Sequence, residues 1–388
     1  MATAKPIYQL ATPTQVYDNI RTVEAQLRSC IIDSLPERYI WPGEVVENLK
    51  PANHETVAKE KEDVVQNLAI PVVDLAGIDS ASEEVRARIA REMGKACEEW
   101  GFFQVINTAV PAAVMEQVND SAREFFALPV EEMEKASEPP GKPLMGYGGR
   151  LSFLSSKVPW VEYLGEFHIP EPGVEALAKK VWEDGNPKFC KAITDYCNSA
   201  EQLGLLILEL LAESLNLPKD TYSQHFQRTS GYQGSWRFNY YTRCPRASET
   251  VGQGPHSDPV ALTILRQDQV PGLQVRKGNT WITAEPLSGA FVVNVGDFLQ
   301  AWSNDRFKSV EHRAFVNEKR ERLSMIYFMS PPPVLNIEAP SKLVPENQQS
   351  VYRTFTYAEY LGIMFQNRVT GDFSKKALDY MRRETATE

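Results

Sequence analysis

The sequence predicts a mixed α+β protein with a mainly β core, an antiparallel sandwich or jelly roll, flanked by N-terminal helices and a C-terminal helix. Three observations carry this. Beyond residue 230, seven short β-like runs are separated by Gly, Asn, Asp and Pro: WRFNYYT, ALTILRQ, GLQVRK, TWITAE, AFVVNVG, SVEHRAFVN and RLSMIYFM. Ahead of them a strong helical pattern runs from Asn198, with Leu203, Leu206, Leu210 and Leu211 on one side and an end near Pro218. Behind them Thr356 and Glu359 form a candidate capping box before YAEYLGIMF.

The elements follow in order. Residues 1–65 hold a polar segment and then SLPERYIWPGEV, punctuated by prolines and aromatics. IPVVDL reads as a strand ending in a turn, and Ser80 with Glu83 reads as a capping box. Val85, Ile89, Met93 and Trp100 then recur near helical spacing, and WGFFQVIN reads as a buried strand. The chain divides into an N-terminal mixed helical region (1–200), a β core (201–340) and a C-terminal helical segment (341–388). GYGGR and VGQGP lack the context and lysine of a phosphate cradle and read as turns, and Asp297 in NVGD closes a strand turn. No G-x-S-x-G setting points to a hydrolase.

Composition excludes several classes. The 388 residues carry a net charge of −10, which argues against binding a phosphate backbone. Five widely spaced cysteines without a CxxC pair suggest neither a disulfide framework nor a thiolate zinc site. The N-terminus has no signal-peptide core, and LGLLILELLAESLNL is interrupted by Glu209 and Glu213. A soluble, reducing, cytoplasmic setting is expected, with no nucleic-acid or membrane partner.

Chemistry concentrates in GPHSDPVALTILRQDQVPGLQV. His256 and Asp258 stand two apart, so on a strand they face the same way, and His312 in SVEHRAFVN is the candidate third ligand. Two histidines and one carboxylate leave coordination positions open, the facial triad of non-haem Fe(II) oxygenases. Alone, an HxD reads more readily as a turn cap beside a solvated strand end. ERLSMIYF shifts the balance by placing Arg322, Ser324, Ile326 and Phe328 on one strand face. A guanidinium fork with a hydroxyl suits a carboxylate such as the far end of 2-oxoglutarate, whereas a lone Arg322 reads as a surface ion pair. Asn239 and Tyr241 in FNYYT share a face, and Tyr241 offers a phenolic hydrogen bond. His54, His168 and His225 have no partner at ligand spacing and read as packed or surface residues.

PHSDP, LTILRQDQVPGLQV, FVVNVGD, FKSVEHRAFVN and RLSMIYF, with IPVVDL, EWGFFQVIN, FFALP and FNYY, resemble the plant 2-oxoglutarate/Fe(II) dioxygenases from about residue 70 to 335. The resemblance implies a double-stranded β-helix (jelly roll) behind a non-haem dioxygenase N-terminal region. It implies His256, Asp258 and His312 as iron ligands, and Arg322 and Ser324, helped by Tyr241 with Asn239 beside it, as the 2-oxoglutarate site. The implied reaction consumes O2 and 2-oxoglutarate, releases succinate and CO2, oxidises a small molecule, and is stimulated by ascorbate.

LPERYIWPGEV and GYGGRLSFLSSKVPWVEYLGEF resemble segments of the gibberellin C-20 oxidases. They imply oxidation, in one or several steps, of a tetracyclic diterpenoid acid such as a gibberellin or ent-kaurenoid precursor. VINTAV, FNYYTRCP and FHIPEPG depart from that pattern, all outside the expected ligands. The alternatives are the same chemistry on a flavonoid, alkaloid or auxin, or a non-catalytic small-molecule binding module. An apolar acid needs a greasy pocket with one anchor. Phe328 is the candidate wall, set against ordinary core packing, and Arg150 and Lys157 the candidate anchors, set against solvated loop charges.

Overall fold

The computed structural model describes residues 35–46, 69–80, 82–137, 145–148, 157–169, 173–370 and 376–383. Its strands are β1 (Val72–Asp74), β2 (Phe102–Ile106), β3 (Gly146–Tyr147), β4 (Glu162–Ile169), β5 (Gln233–Tyr241), β6 (Gln253–His256), β7 (Leu262–Gln267), β8 (Leu273–Lys277), β9 (Thr280–Thr283), β10 (Phe291–Val295), β11 (His312–Ala314), β12 (Arg322–Ser330), β13 (Asn336–Ile337) and β14 (Phe355–Thr356). The major sheet has the order β1-β2-β10-β7-β12-β5-β4-β3, and the minor sheet β6-β11-β8-β9. Apart from the parallel β1–β2 pair, neighbours run antiparallel. All seven strands read from the sequence beyond residue 230 are present, and the jelly-roll expectation holds.

Alternation along β12 shows how the layers form. Leu323, Met325, Tyr327 and Met329 join a large core with the helices, while Ile326 packs on the other side with Leu265, Val292, Leu273 and Val275. The major sheet is therefore buried on both faces, and each large side chain removed from water contributes about 1.5–3 kcal/mol. Its inner face also carries polar groups: Thr263 and Gln267 on β7, Asn294 on β10, and Arg322 and Ser324 on β12 are all buried. Buried polar groups demand partners, so this face marks the site.

The outer face is backed by α1 (Glu83–Glu99), α2 (Ala112–Phe126) and α3 (Pro187–Ser214), and α4 (Tyr357–Thr370) follows the core. α3 begins eleven residues before the expected Asn198. Asn186 accepts from the Phe189 N–H at 3.0 Å and Pro187 occupies the first turn, a start signal that the polar KAITDYCNS face conceals. The helix therefore runs through position 200. Leu203, Leu210 and Leu211 are buried, and Gly204 lets α3 approach Met329 and Ile264. The α1 cap also differs: Ser82 accepts from Val85 N–H, while Ser80 donates to Gly77 O at 2.6 Å in the preceding turn. At α4 the expected Thr356 cap is present, accepting from Glu359 N–H at 3.2 Å. Among the described residues no helix is long and apolar enough to cross a membrane.

Candidate active site

His256 ends β6, His312 opens β11, and the two are paired in register with ring centroids 4.2 Å apart. Asp258 does not share their sheet. It sits in the loop after β6, so face alternation is not what brings it in. The loop is fixed instead by Asp297, whose N–H donates to Asp258 O at 2.9 Å, and by Gly296, where a Cβ would stand 2.0 Å from Val260 O. Asp258 Oδ1 thus lies 3.6 Å from Nε2 of both histidines. Each residue offers one ligand atom, and these atoms lie within 4.8 Å of one another.

The surroundings set the protonation and aim of each group. His256 Nδ1 donates to Gly254 O at 2.8 Å and His312 Nδ1 to Val310 O at 3.2 Å, which leaves both Nε2 lone pairs directed at the common centre. Loss of hydration, aided by the charge of His312, pushes His256 down to about 4. Burial works to raise Asp258, but His312, His256 and its hydrogen bonds outweigh this and hold the carboxyl below its usual range. Those bonds come from Thr263 Oγ1 at 2.6 Å and Asn294 Nδ2 at 2.8 Å, both to Oδ2, so Oδ1 alone is left for a metal. Two imidazole Nε2 atoms and an ionised carboxylate fit a divalent cation. Thr263→Val and Asn294→Ala are each expected to weaken Fe(II) binding by roughly 10- to 100-fold, the usual effect of losing such support, in an anaerobic calorimetric titration.

Asp297 is not the turn closure expected of it. It begins the short helix Asp297–Trp302, is 2% exposed, and accepts from Ser309 Oγ at 2.6 Å and from the Tyr360 hydroxyl. Burial raises its carboxyl despite these donors. Through Tyr360 it ties α4 to the Asp258 loop.

Across the cavity stand the residues expected to grip a carboxylate. Arg322 pairs with Tyr241, and Ser324 with Asn239 and Gln267, in the β5–β12–β7 ladder. Arg322 and Ser324 are 2% and 1% exposed, yet Arg322 Nε and Nη1 and Ser324 Oγ have no hydrogen-bond partner. Among the described residues the one bond of the guanidinium is Nη2 to Gln267 Oε1 at 3.2 Å, and its Cζ lies 4.9 Å from the centre of the Tyr241 ring. Asn239 Nδ2 donates to the Tyr241 hydroxyl at 3.3 Å. Buried donors left open in this way fit an absent carboxylate, because leaving one unmade costs about 1–3 kcal/mol.

One cavity of about 650 Å³ joins these groups and extends outward past Phe328, Tyr163, Leu361, Met364 and Trp41. Arg237 also lines it. Its Nε is buried without a partner, its guanidinium lies 3.8 Å from the Tyr163 ring centre, and no carboxylate pairs with it among the described residues. Sequence reasoning passed over Arg237, although alternation back from Tyr241 and Asn239 puts it on the same face. Lys157 lines the cavity, but its ammonium donates to Glu37 O at 3.1 Å. Arg150 lies outside the described residues, as does His54. His168 lies near Asn198 and His225 stacks on Trp302, as packed residues do.

Residues 232–331 match the 2OG-Fe(II) oxygenase superfamily, and residues 70–184 match the non-haem dioxygenase in morphine synthesis N-terminal family. Gibberellin 20 oxidase 1-B of Triticum aestivum is 35% identical over 331 residues, covering 84% of this chain and 86% of the relative. Jasmonate-induced oxygenase 2 of Arabidopsis thaliana is also 35% identical, covering 85% of each. Flavanone 3-dioxygenase 2 of Oryza sativa subsp. japonica is 36% identical, covering 86% of this chain and 91% of the relative. The crystal structure of JOX2 with 2OG, Fe and JA superposes with a TM-score of 0.74 at 32% identity, covering 92% of this chain and 98% of that one. The open triad and the unpaired carboxylate donors have the family they call for: the chain belongs to the 2OG-Fe(II) oxygenase superfamily and is an Fe(II)- and 2-oxoglutarate-dependent dioxygenase of the plant type.

Proposed function

We propose that His256, Asp258 and His312 hold the ferrous ion, and that Arg322 and Ser324, with Tyr241 and Asn239, hold the far carboxylate of 2-oxoglutarate. The substrate is an apolar acid whose carboxylate Arg237 receives. We read it as a tetracyclic diterpenoid acid such as a gibberellin or ent-kaurenoid precursor. The observation that carries the acid is Arg237 itself, a cation inside the cavity with a buried N–H that has no partner, and no paired carboxylate, among the described residues.

When bound, iron and 2-oxoglutarate activate O2, releasing CO2 and succinate as the substrate is oxidised. The chain positions the reactants and keeps water out. Arg237 lines the same cavity as His256, Asp258 and His312, so an acid held by its guanidinium shares that cavity with the triad. Ile326 and Phe328 supply apolar wall on the same strand face as Arg322. The diterpenoid assignment is supported by the gibberellin 20 oxidase similarity and by the LPERYIW segment, whose Arg38, Tyr39 and Trp41 line the cavity. A volume near 650 Å³ is within the usual range of about 300–1,000 Å³ for ligand pockets. The JOX2 likeness favours a second reading, a smaller apolar acid such as the JA in that complex. A cytoplasmic setting accords with the buried cysteines Cys97, Cys190 and Cys197, none of which is in a disulfide among the described residues.

The test is incubation with Fe(II), ascorbate, 2-oxoglutarate and a panel of gibberellin precursors, ent-kaurenoic acid, JA, auxin and flavonoids, with succinate and product followed by mass spectrometry. Product from a diterpenoid acid supports the first reading, and its mass gain counts the oxidations. Product from JA or auxin alone keeps the acid and overturns the diterpenoid. Product from neutral flavonoids alone overturns both. With the accepted acid, Arg237→Leu is expected to raise KM by about 30-fold or more, as loss of a charge-assisted pair of about 2 kcal/mol or more would.

A further inference from the structure

Arg322 and Tyr241 are each pressed by a glycine. A Cβ added at Gly272 would stand 2.5 Å from Cδ and Nε of Arg322 and 3.1 Å from its Cζ. A Cβ at Gly252, in the VGQGP run read as a turn, would stand 2.7 and 2.8 Å from the Tyr241 ring. Neither glycine has a left-handed backbone, so conformation is not what calls for glycine there.

The two backbones are also pinned to consecutive residues. Gly252 N–H donates to Ala314 O at 2.8 Å, and Phe315 N–H donates to Gly272 O at 2.9 Å. Ala314 ends β11, the strand that opens with His312. An added methyl therefore meets a backbone that cannot retreat without disturbing β11, and the side chain has to move. The order across the site is Gly272, the Arg322 guanidinium, the Tyr241 ring and Gly252, with the cation 4.9 Å from the ring centre.

We infer that Gly252 and Gly272 are positioning residues of the cosubstrate clamp: their missing side chains leave the slot in which Arg322 lies against Tyr241 with its Nε and Nη1 free. The inference rests on the reading of Arg322 as the 2-oxoglutarate anchor. Gly272 acts on the guanidinium directly, and Gly252 acts through the ring beside it. The substrate side of the cavity is not involved.

The test measures affinity for 2-oxoglutarate and for pyruvate on the Mn(II)-loaded full-length protein by calorimetry. Pyruvate has the same 2-oxo acid head and no distal carboxylate. Gly272→Ala is expected to weaken 2-oxoglutarate on the order of 10- to 100-fold, as a displacement of about 1 Å in a positioning group does. Pyruvate and Mn(II) affinities stay at their wild-type values. Gly252→Ala gives a smaller loss of the same kind, and it carries the test if Gly272→Ala does not fold. Gly94→Ala is the packing control: its Cβ would lie 2.5 Å from Ser214 Oγ in the α1–α3 contact, so it lowers the melting temperature and leaves 2-oxoglutarate affinity unchanged. Wild-type 2-oxoglutarate affinity in both clamp variants, or an equal loss for pyruvate, would overturn the inference. Wild-type affinity in Arg322→Ala would instead overturn the reading beneath it.

Discussion

Replacing His312 with alanine is expected to abolish turnover while the protein stays folded. The ring is 8% exposed at the start of β11, with His256 across one strand pairing and Val275 across the other. Its backbone remains in both ladders when the imidazole goes. The loss to the fold is the edge contact with Phe102 at 5.1 Å, the ring contact with His256, the hydrogen bond to Val310 O and part of a cavity wall, about 1–2 kcal/mol and a melting shift of a few degrees. The loss to the site is larger in kind. Under the proposed assignment only Asp258 Oδ1 and His256 Nε2 would be left to hold the iron where three residues would hold it in the wild type. Members of one catalytic unit fail together, so succinate formation should fall by on the order of 10³-fold or more. Fe(II) titration beside a thermal melt checks both halves. Full activity in His312→Ala would remove this residue from the triad, and a collapsed melt would show that its role is in folding.

The sequence exposes the ligand types better than the geometry that joins them. His256, Asp258 and His312 are legible because few residue types bind iron and the chain has five histidines. Their meeting depends on the 256–312 register and on a loop braced by Asp297, and neither is a local property. Arg322 and Ser324 are legible by alternation in β12, because alternation is fixed within a strand. Arg237 obeys the same rule in β5, two residues before Asn239 on the same face. Thr263 and Asn294 look like ordinary strand residues until three strands are laid side by side with β7 between β10 and β12. Gly252 is the least legible of these residues. A glycine near another glycine suggests a turn, and the reason for this one is an aromatic ring from β5 that no local pattern reveals.

Arg322→Ala should damage cosubstrate binding most and leave the metal in place. In the wild-type chain a carboxylate entering the clamp meets Nε and Nη1 of a guanidinium that is already desolvated and held by Gln267 and Tyr241. Most of the ordering cost is therefore met before the ligand arrives. Without the guanidinium the carboxylate is buried beside Ser324 Oγ with no counter-charge. Truncating one side of a buried, hydrogen-bonded charge pair costs about 2–5 kcal/mol, or roughly 30- to 5,000-fold in affinity. The rise should appear in the KM for 2-oxoglutarate and in its calorimetric Kd, with Fe(II) affinity unchanged because Asp258, His256 and His312 make no contact that depends on Arg322. Arg322→Lys separates charge from shape. A lysine returns the charge as a single point and cannot present two parallel N–H groups, so it should recover only part of the loss. Full recovery would mean that charge alone holds the carboxylate and that the fork on β12 has no special part in it. An unchanged Kd in Arg322→Ala would move the carboxylate elsewhere in the cavity, with Arg237 as the remaining cation among the described residues that has a buried, unpartnered N–H.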